Sequence, residues 1–151
     1  MAINTVPFVS GSILTAAQMT ALPMGIVSAT SVTTASGSTS TEVTRITAAS
    51  FTAVANRYYR ITYFEPALQF ISGTVNLIEL TIKIGGVAIQ FGEVKISSAS
   101  DNTGTVSITK TLTAGATVVT ATMKPVGGGN ANAYSAATAI AQLVIEDMGS
   151  T

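Results

Sequence analysis

The stretch Val75-Asn76-Leu77-Ile78-Glu79-Leu80-Thr81-Ile82-Lys83-Ile84-Gly85-Gly86-Val87-Ala88-Ile89-Gln90-Phe91-Gly92-Glu93-Val94 decides the fold. Successive residues of a β-strand face opposite sides. Ile78, Leu80, Ile82 and Ile84 therefore share one face, and Leu77, Glu79, Thr81 and Lys83 share the other. Gly85-Gly86 is a two-residue hairpin signal, after which Val87 to Val94 runs back.

The same period of two extends in both directions from this hairpin. Upstream, it predicts strands over Gly25 to Thr33, Glu42 to Ala48 and Phe51 to Val54, with a turn at Ala55-Asn56-Arg57. Tyr58 to Phe64 alternates strongly. Tyr59, Ile61 and Tyr63 fall on one face and read as core; Tyr58, Arg60, Thr62 and Phe64 fall on the other. Pro66 is expected to end that strand. Downstream, Thr105 to Leu112 and Thr117 to Lys124 flank Thr113-Ala114-Gly115-Ala116, and Thr138 to Glu146 closes the series. The segments Ala35 to Ser40 and Ser97 to Gly104 are loops by composition, and Gly127-Gly128-Gly129-Asn130 is expected to form a flexible tip. About eight short strands at regular spacing predict an all-β chain, an antiparallel β-sandwich of jelly-roll type. No internal repeat is present.

Residues 1–24 differ from the remainder. Thr15 has the character of an N-cap and Gln18 stands at the third helical position, the spacing of a capping box. Pro23 stops the element after about two turns, too few for a helix stable alone. Ile13, Leu14, Met19 and Leu22 need a surface to lie on. They either cover one end of the chain's own core or form an arm that docks on a neighbouring protein. The division is an arm at 1–24 and a sandwich at 25–151.

Composition narrows the function. Asp, Glu, Lys and Arg make up 9% of the 151 residues, against about 25% in a typical soluble domain. Seven basic and seven acidic side chains cancel. Such a chain lacks the cations to bind nucleic acid by counterion release, and it has no polybasic segment for an anionic membrane. It contains no Cys and no His. The usual zinc sites, thiol chemistry and His-dependent triads are therefore excluded, and no cofactor is implied. The first charged residue is Glu42, so the amino terminus lacks the positive region of a secretory signal, and no window is apolar enough for a membrane helix. The chain reads as soluble and made in the cytoplasm without an export signal. A net charge near zero favours association. The strands carry few of the Lys or Pro residues that protect sheet edges. Burial against sister subunits, as in a homotrimer, would remove that exposure.

Few residues carry candidate chemistry. Glu146-Asp147 is the only adjacent acidic pair, and alternation sends the two to opposite sides of a strand that is expected to run into solvent. Glu65 and Glu79 lack any spacing that suggests paired catalytic carboxylates. Asp101 and Asn102 lack the further oxygen ligands of a calcium site. The Gly127–Gly129 run lacks the Lys and Ser/Thr of a phosphate cradle. Arg57-Tyr58-Tyr59-Arg60 is the only basic and aromatic cluster. Alternation splits it, leaving Tyr58 with Arg60 as a surface or inter-subunit contact.

Three segments together carry a resemblance. Gly11-Ser12-Ile13-Leu14-Thr15-Ala16-Ala17-Gln18-Met19, with Leu22-Pro23 and Gly25 after it, resembles the opening of small virion proteins of tailed bacteriophages. Phe51 to Thr62 is similar to a strand pair in those proteins, and Ala141 to Gly149 is similar to their ending. Thr20 departs from the Asn often found there. The resemblance implies a non-enzymatic structural protein on the virion, of head-decoration or minor-tail type, with itself and the major capsid protein or tail proteins as partners. The leading expectation is a trimeric capsid decoration, or cement, protein on the shell exterior. Alternatives are a minor tail, baseplate or fibre-associated protein and, from a different class, a carbohydrate-binding module. The sites expected to make contacts are Ile13, Leu14, Met19, Leu22, Tyr58 and Arg60.

Overall fold

The computed structural model describes residues 15–73, 77–96 and 102–151. Among the described residues, one helix, α1 (Ala16–Ala21), precedes eleven strands. These are β1 (Gly25–Val32), β2 (Val43–Thr47), β3 (Phe51–Ala53), β4 (Arg57–Gly73), β5 (Leu77–Ile84), β6 (Val87–Lys95), β7 (Asn102–Thr111), β8 (Gly115–Thr117), β9 (Val119–Val126), β10 (Gly129–Ala133) and β11 (Ala141–Ser150).

Two antiparallel sheets face each other. One runs β1-β11-β4, with β7 on the far side of β4 and β10 beside the later half of β4. The other runs β2-β9-β5-β6. β3 and β8 form a small separate pair. Without the short strands β3, β8 and β10, the order β1-β11-β4-β7 over β2-β9-β5-β6 is the interleaving of a jelly roll. The predicted sandwich is the observed fold, and the periodicity located all eight principal strands and the short β3. β8 and β10, which the periodicity did not separate out, are short elements of three and five residues.

The core lies between the sheets. Tyr59, Ile61, Tyr63, Leu143 and Ile145 from the first sheet meet Ile78, Leu80, Ile82, Ala121 and Met123 from the second, all fully buried. Removing a side chain of that size from water is worth about 1.5–3 kcal/mol. The alternation that placed Ile78, Leu80 and Ile82 inward is the alternation observed.

Three local expectations are corrected. Pro66 does not end its strand: β4 continues to Gly73. Proline has no N–H for the ladder, and the fold places it in a gap. On one side the partner changes there, from β11 opposite Phe64 to β10 opposite Leu68. On the other, the register with β7 shifts between Glu65 and Leu68. The Gly127–Asn130 tip is shorter than expected, because Gly129 and Asn130 already belong to β10 and pair with Gly73 and Ser72. The last strand does not run into solvent after Glu146; it continues to Ser150, and Asp147 is buried.

Candidate functional site: an arginine-anchored apolar end

The three segments that carry the phage resemblance meet at one point. Thr15 caps α1: its side chain accepts the Gln18 N–H, and the Gln18 side chain accepts the Thr15 N–H, the predicted capping box. At the other end of α1, the backbone carbonyls need donors. Arg57, the first residue of β4, supplies them. Its guanidinium donates to the carbonyls of Thr20 and Leu22. It also donates to Asp147 of β11, from Nε to Oδ2 at 2.6 Å and from Nη2 to Oδ1 at 2.8 Å. The two side chains are 7% and 1% exposed, so this pair is desolvated. Its hydrogen bond to Asp147, opposed by burial, holds the Arg57 pKa above the usual arginine value.

Glycine completes the joint. The Gly149 N–H donates to Asp147 Oδ1 at 2.8 Å. Gly149 has φ +99°, and a Cβ there would stand 3.0 Å from the Ala21 carbonyl oxygen. Asn56, in the turn before Arg57, takes φ 58° and its carbonyl accepts the Thr151 N–H. The stretch Asn56-Arg57 and the sequence Asp147-Met148-Gly149 thus make one seat for the helix.

This seat lies at the end of the sandwich where β1 begins, β4 begins, β5 turns into β6, β7 leads into β8 and β11 finishes. Of the eleven large hydrophobic side chains exposed among the described residues, seven lie here: Met19, Met24, Ile26, Val54, Val87, Val118 and Met148. The segments forming this end, residues 15–26, 48–56, 84–89, 111–118 and 148–151, contain no Asp, Glu, Lys or Arg. A cleft of about 700 Å³ opens beside it between the β5–β6 turn and the β7–β8 segment. Ile84, Ile89, Leu112 and Val118 line it, with Lys110 as the charged lining residue.

Charge is distributed unevenly over the rest of the surface. Four of the fourteen charged side chains are buried in two ion pairs, Arg57–Asp147 and Arg45–Glu65. Glu42, Glu79, Lys83, Glu93, Lys95 and Lys124 lie on or beside the β2-β9-β5-β6 sheet. The outer face of the other sheet carries Arg60 and Glu146, which neutralise each other across β4 and β11. Arg60 Nε is 2.7 Å from Glu146 Oε2, and this hydrogen bond lowers the Glu146 pKa. Around the pair stand Thr62, Ser107, Thr109 and Val144.

The Arg45–Glu65 pair ties β2 to β4 across the core. Glu65 accepts from Arg45 at 3.2 and 3.3 Å, from Tyr63 Oη at 2.7 Å and from Ser135 Oγ at 2.7 Å. Burial, followed by the Glu65 carboxylate, pushes the Tyr63 phenol above its ordinary value. Glu65 is 0% exposed and fully partnered, an arrangement that braces the two sheets. Glu65 and Glu79 sit on different sheets.

The residues singled out from sequence fall as follows. Met19 is 60% exposed on α1. Leu22 is half-buried, and its carbonyl accepts from Arg57. Tyr58 and Arg60 share the outer face of β4, half-buried and exposed respectively. Ile13, Leu14 and Asp101 lie outside the described residues. Sequence reasoning weighed Arg57 in the basic and aromatic cluster and Asp147 in the acidic pair, and kept neither as a contact position. Their signal was present, since each belongs to a resembling segment, but their pairing spans 90 positions. Among the described residues, no cluster of acidic or other ligating side chains is grouped to hold a metal ion. The chain matches no protein-family model and no curated protein.

Proposed function

We propose that this chain is a non-enzymatic structural protein of a tailed bacteriophage particle, a capsid decoration protein that self-associates as a trimer. It attaches through the apolar end seated on α1. One observation carries the reading: the three segments resembling phage virion proteins converge on Arg57, at the end where the exposed apolar side chains gather. A surface with few charges supports it, because Thr, Ser and Ala cost less to desolvate than ionised groups. The outer face of the β1-β11-β4-β7 sheet, with one internally neutralised ion pair, suits repeated contact between copies.

The test is placement on the particle. Antibody or gold labelling of the chain on intact virions is expected to mark the shell surface at regular positions. Purified protein is expected to rebind shells stripped of it, and Met19→Ser with Val87→Ser to abolish rebinding. Label confined to the tail would overturn the decoration role in favour of a tail or baseplate role. A folded monomer that binds neither shell nor tail would remove the virion assignment altogether.

A further inference from the structure

β6 is the outer edge of the charged sheet, and its charges do not match its own neighbours. Glu93 stands directly opposite Glu79 of β5, both on the outer face. Like charges directly opposite destabilise a strand pair. Glu79 has Lys124 opposite it on the β9 side. Among the described residues Glu93 has no strand on its other side, because β6 pairs there with β5 alone. Two residues on, on the same face, Lys95 lies opposite the uncharged Leu77. Neither Glu93 nor Lys95 makes an ion pair or a side-chain hydrogen bond among the described residues.

We propose that β6 pairs with β6 of a second copy of this chain, antiparallel about a two-fold axis at Val94. Each Glu93 then lies opposite Lys95 of the other copy, and the contact is made twice, as two-fold symmetry requires. The charge pattern selects this register. An axis at Glu93 opposes two carboxylates, and an axis at Lys95 opposes two ammonium groups. In the chosen register Phe91, 58% exposed on the same face, becomes a diagonal neighbour of the second copy's Lys95. The alkyl stem of that lysine can cover the ring. The backbone is also suited to pairing. β6 runs nine residues without proline and, among the described residues, leaves one row of N–H and C=O groups unpaired. The row Lys124-Glu79-Glu93 then ends on a cation instead of a repelled carboxylate.

This pairing rests on the β2-β9-β5-β6 sheet and stands independently of the virion reading. A three-fold contact made elsewhere leaves the β6 edge free; the two together give a hexamer when their axes cross at right angles, and the edge alone gives a dimer. Charged residues at an edge also deter pairing in monomers, and charge reversal separates the two roles.

The experiment measures the mass of the full chain by sedimentation equilibrium at low salt. The wild type is expected at an even number of copies. Glu93→Lys and Lys95→Glu are each expected to halve that mass, with thermal unfolding showing that both remain folded. An equimolar mixture of the two is expected to restore the mass. In the mixed pair, the two lysines on β6 of the first variant face the two glutamates on β6 of the second. The double reversal in one chain is expected to restore it as well. Equal masses for wild type and both single variants, or a mixture that fails to recover, would overturn the pairing. Halving to a trimer separates this edge from the three-fold assembly proposed above, and halving to a monomer would count against that trimer while upholding the edge.

Discussion

Arg57 and Asp147, ninety positions apart in the chain, grip each other through two hydrogen bonds of 2.6 and 2.8 Å. The same guanidinium holds the carbonyls of Thr20 and Leu22. One side chain thus ties the ends of two neighbouring strands, satisfies the helix terminus and fixes where the amino-terminal segment leaves the sandwich.

Removing one partner of this pair leaves the other charged and buried. Asp147→Ala is expected to cost about 3–5 kcal/mol of stability, the usual penalty for an orphaned buried charge. Arg57→Lys keeps the charge but loses the fork, and is expected to fall between wild type and Arg57→Ala. Urea unfolding of the three variants checks the order. A loss confined to the release of α1 would appear as increased proteolysis before Gly25 with the sandwich intact.

Gly149→Ala tests the seat by geometry alone. The residue must keep φ near +99°, and its new Cβ meets the Ala21 carbonyl at 3.0 Å. The expected cost is about 1–3 kcal/mol, the range for a side chain held in a disfavoured backbone region. Gly37, also at positive φ, has nothing within 4 Å of a built Cβ. Alanine there is expected to cost less, so the difference between the two variants reports the contact with α1.

Glu65→Ala is expected to be as damaging as Asp147→Ala, since Arg45, Tyr63 and Ser135 lose their common acceptor. Tyr63→Phe removes one hydrogen bond and is expected to cost about 1–3 kcal/mol. Equilibrium denaturation measures both. A double variant losing less than the sum of the two would show that they share one network.

Acid is expected to weaken the exposed pairs. The Arg60 hydrogen bond lowers the Glu146 pKa, and the Lys83 hydrogen bond is the largest of the effects lowering that of Glu42. A depressed folded-state pKa contributes stability above the unfolded value, and that contribution is lost as pH falls through the folded one. The loss therefore begins near the ordinary value of 4.5 and is completed below it. Thermal melts across that range, at low and high salt, are expected to show a small decline that salt suppresses, because both pairs are partly exposed.

Serine at Met19, Met24 or Val87 is expected to leave stability within about 0.5 kcal/mol, as for most surface changes. These side chains are 60%, 71% and 67% exposed. An unfolding midpoint close to wild type, together with lost rebinding to particles, would separate a docking role from a folding role.

The sequence alone determined the layers, because each strand can be read locally. Side chains two apart share a face, so Ile78-Leu80-Ile82 and Tyr59-Ile61-Tyr63 declared the core without knowledge of each other. The Thr15–Gln18 capping box was legible for the same reason, spanning three residues. Tertiary structure alone decided what Pro66, Arg57 and Asp147 do. Proline reads as a strand terminator until β10 and β11 are seen to exchange places beside it. Asp147 reads as solvent-facing until β4 brings Arg57 alongside. Hydrophobic period is encoded by neighbours in the chain, whereas ion pairs and apolar ends are made by residues that meet only when the sheets close.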